Sequence, residues 1–395
     1  MTRGLRTFRA LPPPPLVPYY SAVRHRILGR GIIGAALAIY AVVLVCVIWP
    51  ANAPGERASA SGAPSRANGA TGVTAEGVLP FRGAAMQIQR VDWTEEYKKS
   101  INEIAAIGLD TVSFVVDTRM ENGSSNRIYL DLRMTPSPEM LGKLIDHAKS
   151  KGLRVVLMPI VLLDNPIGDE WRGKIEPDSK GGGWDEWFDS YRQMITHFAW
   201  IAEGHKVDVL VVGSELVTTE NKHEQWSRTI KAVRKVFSGM LTYSSNWDHY
   251  TAVPFWDKLD LIAMNSYWKL GDNRNVPVEE IERRWKDIQK DLLPFQREVG
   301  KPLMFLEVGW YSLANAAHEP WDYTQVDEPL DLELQRKLYE GFFRSWHGHP
   351  QFGGFMIWEW TPGEGGKDDK GYTPENKPAE KVLRDWIAKP RWDVK

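Results

Sequence analysis

Eight short apolar runs, at 84–89, 111–116, 154–159, 207–212, 241–245, 259–265, 303–307 and 354–358, recur along the chain with amphipathic stretches between them. Several are near-continuous in aliphatic residues, the pattern of parallel strands buried on both faces. The intervening stretches carry helix signals. Ser137-Pro138 offers an N-cap and a first-turn proline, Leu141, Leu144, Ile145 and Ala148 share one face, and Gly152 closes the segment. Trp226, Ile230, Val233 and Phe237 form a second apolar stripe. Ile281, Trp285, Ile288 and Leu292 form a third, and Leu334, Leu338 and Phe342 a fourth. Eight strands alternating with helices over about 310 residues predict an α/β fold, a (β/α)8 TIM barrel spanning 78–390. An open doubly wound sheet is the competing architecture. No glycine-rich phosphate loop follows the first run, which counts against a nucleotide-binding version of it.

The segment ahead of the barrel has a different composition. Residues 1–30 hold six arginines and no acidic residue, and read as a basic cytoplasmic tail. Residues 31–50 follow as a transmembrane or signal-anchor helix, uncharged from Ile32 to Trp49. A bilayer needs roughly 17–25 residues of this kind. The basic flank keeps the N-terminus inside and places the barrel outside the membrane. Ala51-Asn52-Ala53 resembles a small-residue cleavage site, so the alternative is a domain secreted after cleavage behind Ala53. Residues 51–77, rich in Ala, Gly, Ser and Pro, read as a flexible linker. The single cysteine, Cys46, lies in the anchor, so the barrel has neither disulfide nor thiolate chemistry.

Composition removes several classes of function. A formal net charge of −2 gives no basic field for nucleic acid. The nine histidines show no metal-ligand spacing, and there is neither a Gly-x-Ser-x-Gly elbow nor a Cys/His pair. No metal and no cofactor are implied. His347-Gly348-His349 reads as a solvated loop. The 363–371 loop, with Glu364, Asp368 and Asp369, reads as a mobile segment beside the barrel mouth or as a cation site.

In a (β/α)8 barrel the chemistry sits where the strands end. The fourth run ends in Val212-Gly213-Ser214-Glu215-Leu216 and the seventh in Phe305-Leu306-Glu307-Val308-Gly309-Trp310. Each brings one glutamate to the rim after a run that is otherwise buried, where an unpaired carboxylate costs several kcal/mol. Two carboxylates facing each other across such a mouth suit glycosidic cleavage. One gives a proton to the leaving oxygen, and the other attacks or activates water. Their repulsion raises the pKa of one member, so that it stays protonated near neutral pH. The bland alternative is a pair of rim salt bridges.

The chain resembles the large clan of retaining barrel glycosidases, and within it glycoside hydrolase family 113, whose known members are mainly β-1,4-mannanases. Six segments carry the resemblance, together with a tail. They are Trp171-Arg172-Gly173-Lys174-Ile175, Val212-Gly213-Ser214-Glu215-Leu216, Leu241-Thr242-Tyr243-Ser244-Ser245-Asn246-Trp247-Asp248, Phe255-Trp256-Asp257-Lys258-Leu259-Asp260, Glu307-Val308-Gly309-Trp310 and Trp358-Glu359-Trp360. The tail is Gly371-Tyr372-Thr373-Pro374-Glu375-Asn376-Lys377-Pro378-Ala379-Glu380. The resemblance runs from about 80 to 388. It implies Glu215 as acid/base and Glu307 as nucleophile, acting on a β-linked polysaccharide or oligosaccharide, most simply β-1,4-mannan. The chain departs from the pattern twice. Ser214 stands where the clan carries the Asn that bonds the sugar 2-hydroxyl. Met158-Pro159-Ile160 stands where the family carries Lys-Pro-His.

The 18 tryptophans can be weighed by position. Trp310, Tyr311, Trp358, Trp360, Tyr267 and Trp268 fall at or just past strand ends and are candidates for stacking on sugar rings, Trp358 as the floor of the cleavage subsite. Trp171 and Arg172 are placed to wall the cleft, and Asn246 and Trp247 to contact sugar. Glu359 is expected to point away from the face shared by Trp358 and Trp360 and to form a structural salt bridge. Two rival functions share the fold. One is an inactive glycan-binding barrel, and the other a related β-glycosidase acting on glucan or galactan.

Overall fold

The computed structural model describes residues 79–322 and 324–395. Eight parallel strands close on themselves in sequence order. They are β1 (Phe81–Ile88), β2 (Thr111–Met120), β3 (Arg154–Leu163), β4 (Val209–Ser214), β5 (Met240–Ser245), β6 (Ile262–Asn265), β7 (Leu303–Val308) and β8 (Phe352–Ile357). Phe81 pairs with Gly354 and Ala84 with Ile357, so β8 returns to β1 and the open-sheet alternative is excluded. Nearly every strand residue is buried. That is why the runs read as continuous rather than alternating.

Seven α-helices cover the strands among the described residues. They are α1 (Thr94–Ala106), α2 (Pro138–Ser150), α3 (Gly183–Gly204), α4 (His223–Arg234), α5 (Val278–Val299), α6 (Leu332–Trp346) and α7 (Pro378–Ile387). The capping signals act as expected: the Ser137 side chain accepts from Met140 N–H, and Pro138 opens α2. The β5–β6 connection departs from the expected pattern. It contains only two short 3-10 turns, Tyr250–Ala252 and Trp256–Lys258. Phe255 fills the place of a helix face by stacking on Trp226 at 4.9 Å between centroids. Trp256 is held by its indole N–H on the Tyr250 carbonyl, at 2.9 Å.

The core has two layers. A smaller cluster, including Ala85, Val115, Met158, Val211, Met304 and Met356, fills the barrel interior. A larger one lies between sheet and helices and holds Trp187, Trp226, Trp285 and Trp346. Fully burying a large apolar side chain contributes roughly 1.5–3 kcal/mol. Most of the tryptophan excess is therefore spent on packing. At the face where the strands begin, the Asp110 carboxylate takes Arg82, Arg154 and Arg391. Arg391 also donates to the Pro80 carbonyl at 2.6 Å, and Trp392 Nε1 to that of Phe352 at 2.8 Å. The last residues thus close the base of the barrel, and Lys395 N–H still reaches the Pro350 carbonyl.

The basic tail, the anchor at 31–50 with Cys46, and the linker at 51–77 lie outside the described residues. Among the described residues, no helix is long and apolar enough to cross a membrane. His347 is not solvated as expected. It packs between Trp386 and Trp392, with ring centroids at 5.2 and 5.0 Å. In the 363–371 loop, Asp369 accepts from the backbone N–H groups of Gly365 and Gly371, and Lys377 lies buried beside it. No group of metal-ligating side chains occurs among the described residues.

Candidate active site

Glu215 directly follows β4, where pairing with β5 slips between Val211 and Ser214. Its φ is +54°, a left-handed conformation that costs a non-glycine residue about 1–2 kcal/mol. Its own N–H is spent on the Ser244 carbonyl, at 2.8 Å. The carboxylate meets two donors, Arg172 Nη2 on one oxygen and Asn265 Nδ2 on the other. Asn265, the last residue of β6, accepts the Trp247 N–H at 2.8 Å. An oxygen must face that N–H, so the amide NH2 is turned toward Glu215 and Asn246.

Glu307 lies within β7 and partners Asn265 just past a slip in the β6–β7 pairing. It is 4% exposed. Its carboxyl accepts from the Tyr267 hydroxyl at 2.8 Å, and its carbonyl from the Ser266 hydroxyl at 2.8 Å. Burial and the neighbouring charge of Glu215 push the Glu307 carboxyl up to about 8, against Arg172 and Tyr267, and Glu359 adds a smaller push. Just beyond it, a Cβ on Gly309 would lie 1.8 Å from the Trp358 carbonyl oxygen, so only glycine lets β8 approach here. Two carboxyls that repel each other in one buried mouth retain one proton near neutral pH. That is the requirement for a proton donor beside an ionised partner.

The predicted aromatic residues divide by direction. Trp358 and Tyr267 belong to the interior cluster, with Trp247, Trp321 and Tyr372 against its rim. Trp247 and Trp321 stack at 6.1 Å and 23°. The others pack outward among the helices, Trp268 also meeting Trp247 edge-on. Trp310 is buried on Tyr339, at 5.2 Å. Trp360 is 1% exposed and gives its indole N–H to Glu103 of α1 at 3.3 Å. Tyr311 is buried and donates to the Glu319 carbonyl. Trp268 packs behind the site on Trp285 and Phe305. Among the loop residues, Trp171 precedes the turn that delivers Arg172, which is 6% exposed. Ser214 is buried, and its hydroxyl has no partner among the described residues.

Glu359 forms no ion pair among the described residues, contrary to expectation. It accepts from Gln87 Nε2 at 2.8 Å, and Gln89 then bridges Gln87 to Asp117 at 2.9 and 3.3 Å. Asp117 is fully buried and paired with Arg119 at 2.8 Å, and Arg119 continues to Asp164. Burial lifts Asp117 to about 6, opposed by Arg119, Gln89 and Arg172. Burial likewise lifts Glu359 to about 7. Apart from Glu359, the residues of this polar row were not picked out from the sequence, nor were Asn265 and Trp321. Asp117 had a signal, since it directly follows the predicted strand 111–116. Trp321 had none.

A family model described as Glycoside Hydrolase Family 113 matches residues 84–377. A family 113 β-mannanase from Alicyclobacillus acidocaldarius is 29% identical, with a TM-score of 0.70, over 78% of this chain and 98% of that one. A family 113 β-1,4-mannanase solved as a complex is 25% identical, with a TM-score of 0.71, over 79% and 100%. A β-glucuronidase from Faecalibacterium prausnitzii, at 16% identity and a TM-score of 0.55, covers 80% of this chain and 50% of that one and shares the fold alone. No protein of curated function matches the sequence.

Proposed function

Because the chain belongs to glycoside hydrolase family 113, it is a glycoside hydrolase, and we propose that it cleaves β-1,4-mannan with retention, using Glu215 as acid/base and Glu307 as nucleophile. Glu215, protonated, gives its proton to the glycosidic oxygen as that bond breaks. Glu307 attacks the anomeric carbon and forms a glycosyl ester. Glu215, now a carboxylate, takes a proton from the incoming water, and the ester is hydrolysed. One observation carries this reading: Asn265, which donates to the Glu215 carboxyl, is also the strand partner of Glu307, so one residue joins the two glutamates at the ends of their strands. Arg172 is the ion-pair partner of the Glu215 carboxyl. The productive state has the shared proton moved onto Glu215, with Arg172 and Tyr267 favouring ionised Glu307.

Mannan is supported by the two mannanases at 25% and 29% identity. Ser214 and Ile160 remove two polar groups from the sugar's surroundings, and the row from Gln87 to Arg119 offers replacements on neighbouring strands. Incubation with mannan, glucan and galactan, with product sizing, tests the substrate. Proton NMR of the first product tests the stereochemistry. The β-anomer should appear first, and initial α-anomer would sink the nucleophile assignment. Glycan binding without turnover on every polymer would favour an inactive barrel. The uncharged stretch at 31–50 supports a tether that holds the domain outside the cytoplasmic membrane. Recovery of the protein in the soluble cytoplasmic fraction would overturn the tether.

A further inference from the structure

The residue after Glu215 is tied to a chain of buried groups that the proposed chemistry does not use. Leu216 N–H donates to the Tyr243 hydroxyl oxygen at 2.9 Å. That hydroxyl donates to Glu220 at 2.8 Å, and the other Glu220 oxygen meets His249 Nδ1 at 2.5 Å. Tyr243 is fully buried and Glu220 is 1% exposed. A phenol's hydroxyl carries one hydrogen. With it committed to the Glu220 carboxylate, the oxygen's lone pairs must face the Leu216 amide. The same turn is gripped from its other sides. Tyr191 donates to the Val212 carbonyl at 2.6 Å, and Trp226 to that of Thr219 at 3.0 Å. A Cβ on Gly213 would lie 2.8 to 3.0 Å from Trp226, Tyr243 and Tyr191.

We propose that Tyr243 and Glu220 are positioning residues for the acid/base: they fix the 212–220 turn, and with it the left-handed Glu215, so that its carboxyl meets the glycosidic oxygen. The inference rests on Glu215 being the acid/base. A misaligned Glu215 impairs proton donation but leaves attack by Glu307 intact. The penalty therefore follows the leaving group's need for a proton.

The test compares kcat/KM of wild type, Tyr243→Phe and Glu215→Ala on phenyl and 2,4-dinitrophenyl β-mannobiosides, with thermal melting to confirm folding. Misplacement of a catalytic group by about 1 Å can cost on the order of 100-fold. Tyr243→Phe should lose about 10- to 100-fold on the phenyl substrate and less than about threefold on the dinitrophenyl one, whose departure needs no acid. Equal losses on both substrates, or no loss on either, overturn the positioning role. Glu215→Ala separates this from the underlying assignment. It should show the same split more steeply, with azide restoring dinitrophenyl turnover. If Glu215→Ala keeps wild-type phenyl rates, the acid/base assignment itself fails.

Discussion

The barrel mouth has two halves that treat their carboxylates differently. On the β4–β7 side, the Glu215 charge acts on Glu307, with Arg172, Asn265 and Tyr267 as the donors of the two glutamates. On the β8–β1–β2 side, Glu359 and Asp117 are separated by two glutamines and never meet, and Arg119 neutralises one of them. The first arrangement raises the Glu307 carboxyl by burial and by a second charge beside it. The second distributes donors and acceptors along a fixed row. Burial alone therefore does not distinguish the two halves, and the charge that Glu215 places beside Glu307 does.

The largest expected effect breaks the first half. Glu307→Gln should lower mannan hydrolysis on the order of 10⁴-fold or more, measured as reducing-sugar release. A fall of less than tenfold would remove the distinction between the halves. The next effect is on stability. Between its ordinary value of 4.5 and about 8, Glu307 in the folded chain holds a proton that the unfolded chain has lost. Stability should therefore fall as pH rises through that window, by at most about 1.4 kcal/mol per pH unit. Glu307→Gln carries no such charge and should not share the fall. Urea midpoints at about pH 5 and about pH 8 should thus diverge between the two proteins, and parallel midpoints would contradict the buried repulsion.

Asp117→Asn probes the second half. Arg119 keeps Asp164 but loses its buried partner. Unfolding free energy should drop by about 1–3 kcal/mol, with turnover reduced no more than about tenfold. A loss matching Glu307→Gln would mean that the row takes part in bond breaking. The smallest effect concerns the rim. Trp321→Ala should raise KM for long oligosaccharides about tenfold, worth about 1.4 kcal/mol, with kcat unchanged. A fall in kcat alone would place Trp321 outside the binding surface.

All eight strands could be read in the sequence because burial on both faces leaves an unbroken apolar run. The two glutamates stood out for the same reason, as charges that such a run does not tolerate. Side-chain direction beyond the strand ends was not legible. Trp358 and Trp360 are two residues apart, yet one points into the barrel and the other packs beneath α1, because β8 stops at Ile357 and strand alternation ends with it. Asn265 escaped notice as the end of an apolar run. Its role comes from Glu215, 50 residues earlier in the chain. The Tyr243–Glu220 pairing joins residues 23 apart with α4 between them, and no local pattern announces it.

Pro80, at the start of β1, takes Arg391 at the closed base of the barrel, so both ends of the domain leave from that face. Eight residues of β1 at about 3.3 Å each put this point about 25 Å from the rim. A solid support coupled at Lys395, which is tied to the Pro350 carbonyl, would thus stand at the face opposite the strand ends that carry Glu215 and Glu307. A long polymer could then lie across the opening without meeting whatever carries the domain.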